Sequence, residues 1–108
     1  MIQGIQKAGA GACIKHFAVN NQEKYRMTIN ASIDERTLHE TYLSGFEYAV
    51  KEGKPWMVMS AYNKINGAYC SESKLLLTDI LRRDWGFEGA VVTDWGANNC
   101  LLYTSRCV

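Results

Sequence analysis

The sequence predicts an α/β fold with parallel strands, and three observations predict it. Apolar and amphipathic stretches alternate as strand, helix, strand, helix, strand. The strand candidates are short and rich in apolar residues, and one is almost continuously so, as suits a strand covered on both faces. Each strand candidate also runs out into polar or reactive side chains. That is the arrangement expected where parallel strands converge on one active face.

Taken in order, residues 10–17 (AGACIKHF) read as a short buried strand that ends in polar groups. Residues 19–30 are polar, lack a helical stripe and read as a loop. Ser32 and Glu35 then have the spacing of a capping box, in which hydroxyl and carboxylate satisfy free amides at a helix start. Leu38, Tyr42, Phe46, Ala49 and Val50 follow at helical spacing and form one apolar stripe. Gly53 and Pro55 are expected to end that helix, Gly by accepting a left-handed cap and Pro by refusing to continue. Residues 56–62 (WMVMSAY) are the second strand. Asn66-Gly67 is a turn signal. Ser73 is placed to cap a second helix with a stripe of Leu76, Leu77, Ile80 and Leu81, closed by Gly86. Residues 89–94 (GAVVTD) are the third strand. Periodicity alone does not separate a barrel from an open doubly wound sheet.

Composition narrows the function classes. Twelve Lys and Arg against eleven Asp and Glu leave a net charge of +1. That balance argues against nucleic acid or an anionic membrane as the main partner. No apolar run is long enough to span a bilayer. No basic, apolar, small-residue series follows Met1, so no signal peptide is visible. Cys13, Cys70, Cys100 and Cys107 form no CxxC pair, and no His lies at zinc-ligand spacing from them. Neither metal nor cofactor is expected. No GxGxxG or P-loop follows a strand, which disfavours a nucleotide-binding domain.

The last nine residues, 100–108 (CLLYTSRCV), continue no earlier pattern. They can be encoded by TGT CTC TTA TAC ACA TCT AGA TGT GTA. From TTA onward this is a reverse-complement palindrome that a TAA stop codon completes. It resembles two transposase end sequences, of the kind used to prepare DNA libraries, joined head to head. Residues 100–108 are therefore expected to be an adapter-derived foreign tail and are set aside from the fold. Different codons in the source DNA would end that idea.

The chemistry lies at the strand ends: Lys15-His16, then Tyr62-Asn63, then Asp94-Trp95. Cations, a phenol, a carboxylate and an indole suit a sugar. Charged groups hydrogen-bond hydroxyls, and an aromatic face covers the apolar face of the ring. Read singly, each residue has a plainer alternative. Asp94 could cap a strand-to-helix turn, and His16 could be a core histidine or a metal ligand. Arg26 could be a surface cation, and Met59 and Tyr62 could be core packing.

Several blocks in register give more. Lys15-His16-Phe17-Ala18-x-Asn20-x-Gln22-Glu23, Arg26, Glu35-Arg36-x-Leu38, Met59-x-Ala61-Tyr62-Asn63-x-x-Asn66-Gly67 and Trp85-Gly86-Phe87-x-Gly89-x-Val91-Val92-x-Asp94-Trp95 resemble the catalytic barrel domain of glycoside hydrolase family 3. The resemblance covers roughly residues 2–97. It implies a partial TIM (β/α)8 barrel of about three βα units, within an internal fragment spanning residues 1–99. It also implies a retaining β-glucosidase, with β-xylosidase or a non-catalytic carbohydrate-binding scaffold as the alternatives. The substrate it implies is a β-glucoside or β-xyloside.

On this resemblance Asp94 is the nucleophile, with Thr93 standing where many members have Ser. Lys15, His16, Arg26, Met59, Tyr62 and Trp95 map onto sugar-binding positions. Lys15 and Arg26 are expected to pair with the charged form of Asp94. Glu23 is expected to be structural and paired to a neighbouring Arg. The run Lys-His-Phe-Ala-Val-Asn lacks the second His of the β-N-acetylglucosaminidase branch, which disfavours that activity. A second catalytic carboxyl group is expected to come from elsewhere in a longer parent protein, and this chain alone is expected to be inactive.

Overall fold

The computed structural model describes residues 1–97. The expected boundary after residue 99, the tail 100–108, Cys100 and Cys107 lie outside the described residues. In chain order the structure has an N-terminal helix (Ile2–Lys7), β1 (Cys13–Phe17), β2 (Asn30–Ala31) and a continuous central helix over residues 35–53. There follow β3 (Met57–Ser60), β4 (Lys64–Ile65), β5 (Ala68–Tyr69), a short turn of helix (Cys70–Glu72), a second long helix (Leu75–Asp84) and β6 (Ala90–Thr93).

The three expected strands form one parallel sheet in the order β1-β3-β6. Cys13, Met57 and Ala90 lie side by side, and Ile14, Val58 and Val91 form the next row. Paired residues of a parallel sheet share a face, and successive rows alternate. The Ile14 row and the later row of Phe17, Ser60 and Thr93 face the two long helices. Phe17, Val58 and Ser60 are fully buried there. Phe17 meets Phe46 of the central helix edge-on at 5.1 Å and Trp85, just past the second helix, at 5.8 Å. Burying a side chain of that size contributes roughly 2–3 kcal/mol. The opposite face carries Cys13, Met57, Met59, Ala90 and Val92, none of which is buried. No closed barrel forms among the described residues.

Between Ile14 and Phe17 the register with β3 shifts, so that Lys15 and His16 together stand opposite Met59. This irregularity lies at the position where the sequence turns from apolar to polar residues. Bulges of this kind re-aim side chains at sheet ends. The Lys15–His16 and Phe17–Ala18 peptide bonds are cis.

Several element boundaries differ from expectation. The central helix is capped by Asp34, whose carboxylate accepts the Thr37 N–H at 2.9 Å, and not by Ser32. That bond holds the Asp34 carboxyl below its ordinary range. At the far end the left-handed residue is Lys54, not Gly53. Gly53 has a different reason to be glycine. A Cβ there would come within 2.7 Å of Ile2, so its bare backbone lets the N-terminal helix pack. The helix also widens over Leu38–Leu43 and Ala49–Gly53. In a wider turn residues five apart approach one side. Leu43, outside the expected stripe, is accordingly fully buried with Leu38.

Other boundaries agree. The Ser73 hydroxyl accepts the Leu76 N–H at 3.2 Å, and Leu76, Ile80 and Leu81 are buried. Gly86 takes φ of 68°. Asn66-Gly67 makes the turn of the β4–β5 hairpin, both residues with positive φ. That hairpin joins β2 in a small second sheet in the order β2-β4-β5.

Candidate active site

The parallel topology brings the ends of β1, β3 and β6 to one edge of the sheet. His16, at the end of β1, places Nε2 3.3 Å from Asp94 Oδ2, just beyond β6. The two side chains are 25% and 13% exposed, so the contact is largely screened from water. The other carboxylate oxygen, Oδ1, accepts the Trp95 N–H at 2.8 Å. One oxygen of Asp94 is thus tied to the backbone while the other faces the imidazole, which limits rotation of the carboxylate.

Tyr62 follows β3 and reaches the same place. Its hydroxyl donates to the Trp95 carbonyl at 2.5 Å. Burial raises its pKa above the ordinary tyrosine value. The charge of Asp94 and a hydrogen bond with it act in the same direction, and Arg26 opposes them. Arg26 lies over the Tyr62 ring, its guanidinium carbon 4.7 Å from the centroid. Arg26 also pairs with Glu23 at 2.8 Å, and Glu23 accepts from Asn20 at 3.2 Å.

Asp94, His16, Tyr62, Arg26 and the Trp95 backbone therefore form one connected cluster. Trp95 is 87% exposed, at the rim of the cluster. Lys15 is exposed and Met59 is half-buried in the row beside Val92, both next to the cluster in sequence or register. The expected pairing of Asp94 with Lys15 and Arg26 is corrected. The Arg26 carboxylate partner is Glu23, three residues earlier in the same loop, and the neighbour of Asp94 is His16. Glu23 is paired to a neighbouring Arg, as expected.

The sequence reading gave no role to Cys70 or Ser71. Both are buried and hydrogen-bond segments that leave β1 and β6. No local pattern marks them, since their partners lie 52 and 26 residues away. Among the described residues no group of three or more His, Cys, Asp or Glu is placed to hold a metal ion. A groove of about 640 Å³ lies beside Trp56, Phe87 and Gly89 at the other end of the strands. The cluster around Asp94 instead opens at the sheet edge. An anchored carboxylate beside an imidazole, a phenol and an indole can engage a polyhydroxylated ligand by hydrogen bonds and stacking.

Known proteins resemble this chain in sequence and in fold. The thermostable β-glucosidase B of Acetivibrio thermocellus is 58% identical over 98 residues, covering 91% of this chain and 13% of that protein. β-Glucosidase 3B from Thermotoga neapolitana, solved in complex with glucose, superposes with a TM-score of 0.86 at 58% identity, over 87% of this chain and 13% of that one. A family 3 β-glucosidase from Bifidobacterium adolescentis gives a TM-score of 0.90 at 46% identity, over 92% and 15%. This chain thus spans about 13% of the length of the relatives it matches. Residues 1–104 match the model of the glycosyl hydrolase family 3 N-terminal domain, and the chain belongs to that family.

Proposed function

We propose that this chain is a segment of a retaining β-glucosidase and contributes its nucleophile, Asp94. In that reading the three-stranded sheet is a slice of a (β/α)8 barrel, completed by parts of a longer protein. Residues 100–108 are then a foreign tail.

The observation that carries the reading is the Asp94 carboxylate, anchored at a strand end with His16 Nε2 3.3 Å away. Asp94 attacks the anomeric carbon of a terminal β-linked sugar. The bond from that carbon to the leaving oxygen breaks, and a glycosyl ester to Asp94 forms. The leaving oxygen takes a proton from a second carboxylic acid supplied from outside this chain, about 5 Å from the nucleophile. The same group then deprotonates a water, which attacks the anomeric carbon and frees Asp94. Lys15, His16 and Arg26 hold sugar hydroxyls, Met59 and Tyr62 line the pocket, and Trp95 stacks at the leaving-group side. The glucose bound to the Thermotoga enzyme supports glucosides over xylosides as substrates.

The test is Asp94→Gly in the full-length protein, with aryl β-glucoside hydrolysis and glucose binding both measured. Hydrolysis is expected to fall at least about a thousandfold, as for other removed nucleophiles, while glucose still binds. Hydrolysis near the wild-type rate would remove Asp94 from this role. A wild-type protein that binds glucose without hydrolysing glucosides would favour the scaffold reading.

A further inference from the structure

β1 and β6 are not neighbours, because β3 lies between them. With strands about 4.8 Å apart, their backbones are separated by roughly 10 Å. Yet His16 on one and Asp94 beyond the other meet at 3.3 Å. Side chains spanning that gap are sensitive to small relative movements of the strand ends.

One buried turn holds both ends. Cys70 and Ser71 are adjacent in the turn Cys70–Glu72, and both are buried. The Cys70 thiol donates to the Ala18 carbonyl at 3.4 Å, two residues past His16. The Ser71 hydroxyl donates to the Ala97 carbonyl at 2.9 Å, three residues past Asp94. Asn63, 1% exposed and next to Tyr62, donates from Nδ2 to the same Ala18 carbonyl at 3.2 Å. The Cys70 N–H donates back to the Asn63 carbonyl at 3.0 Å. Each strand that presents a site residue is therefore tied, just past that residue, to one turn.

We propose that Asn63, Cys70 and Ser71 form a brace that sets the separation of His16 and Asp94, acting as positioning residues for attack by Asp94. The brace rests on the β-glucosidase reading given above. Burial raises the Cys70 thiol to about 11, which keeps it protonated and able to donate at neutral pH. Donors aimed at both exits are what a positioning role requires.

The decisive variant is Ser71→Ala in the full-length enzyme, which cuts the tie to Ala97 alone. Turnover of an aryl β-glucoside is expected to fall roughly ten- to a hundredfold, the scale of losses from small misplacements of reacting groups. KM should change far less. Covalent trapping by a 2-fluoro-glucoside, which reports the attack step, should slow in proportion. Ser71→Thr keeps the hydroxyl and should restore most of the rate. Ser73→Ala, which weakens a helix start outside the brace, should leave kcat within about twofold of wild type. A folded Ser71→Ala enzyme with kcat near wild type, or a loss equalled by Ser73→Ala, overturns the proposal. If Ser71→Ala does not fold, Cys70→Ala decides on the same criterion, and failure of both to fold marks the turn as a folding element only. A wild-type enzyme inert towards β-glucosides would instead overturn the reading beneath the brace, and the brace with it.

Discussion

Tyr62 shows how burial and charge act together at the scale of a residue. Its hydroxyl is the donor that holds the Trp95 carbonyl, and it can donate only while protonated. Burial, followed by Asp94, raises its pKa. The folded state therefore keeps the phenol proton to higher pH than the unfolded chain does. The stability linked to Tyr62 is fully present below the ordinary tyrosine value of about 10 and is lost as pH rises through the higher folded value. Tyr62→Phe should remove that part of the alkaline loss. Ultraviolet difference titration of phenolate should show one late-ionising tyrosine disappear in the variant, and an unchanged titration would exclude the assignment. That Asp94, His16 and Tyr62 come together was legible in the sequence because each stands at a strand end, and the pairing of Glu23 with a neighbouring Arg was expected from the family resemblance. The partner of Arg26 was misread because a local pair with Glu23 competes with any distant carboxylate, and sequence spacing does not rank the two. Ser71 was illegible, since its role depends on a carbonyl 26 residues away.

At the scale of elements, all three parallel strands and both long helices were legible from periodicity, while their ends were less so. Asp34 and Ser32 are both good capping residues, and only the backbone decides between them. Asp34 adopts the extended conformation directly before the first helical turn. The N-terminal helix carries no side-chain cap, and β2, β4 and β5 are two residues each, too short for alternation to register. Ser73 was placed correctly because a small polar residue stands directly ahead of an apolar stripe. Ser73→Ala should lower stability by about 1 kcal/mol. Gly89→Ala should cost more, about 1–3 kcal/mol, because its Cβ would lie 2.3 Å from the Trp56 carbonyl oxygen and 2.6 Å from the Phe87 ring. The Ala90 N–H donates to that same Trp56 carbonyl, so the strain falls where β6 joins β3. Thermal unfolding of both variants in the full-length protein checks the order. A Gly89→Ala protein as stable as wild type would show that the contact relaxes freely.

For the molecule as a whole, the central fact is that the described helices cover the sheet on one face only. The helices pack against the Ile14–Val58–Val91 row, whereas Met57, Met59, Ala90 and Val92 line the other face and none of them is buried. Among the described residues β1 and β6 each pair only with β3, leaving an edge unpaired, and Trp56, Tyr48 and Leu75 are exposed as well. Unpaired edges beside apolar surface template association with other chains. A two-layer arrangement of this size leaves a thin margin between buried area and chain entropy. The isolated chain is therefore expected to lack a cooperative monomeric melt, to bind a hydrophobic dye and to show no glucosidase turnover. Calorimetry, dye fluorescence and light scattering across a concentration series test this together. A sharp, concentration-independent transition with no dye binding would mean that the helix-covered face alone sustains the fold. Weak structure that becomes cooperative when the missing remainder of a family 3 enzyme is supplied in trans would place the lost stability on the uncovered face. That face carries Met59 beside the end of β1, so covering it would order the sheet and enclose the proposed sugar pocket in one step.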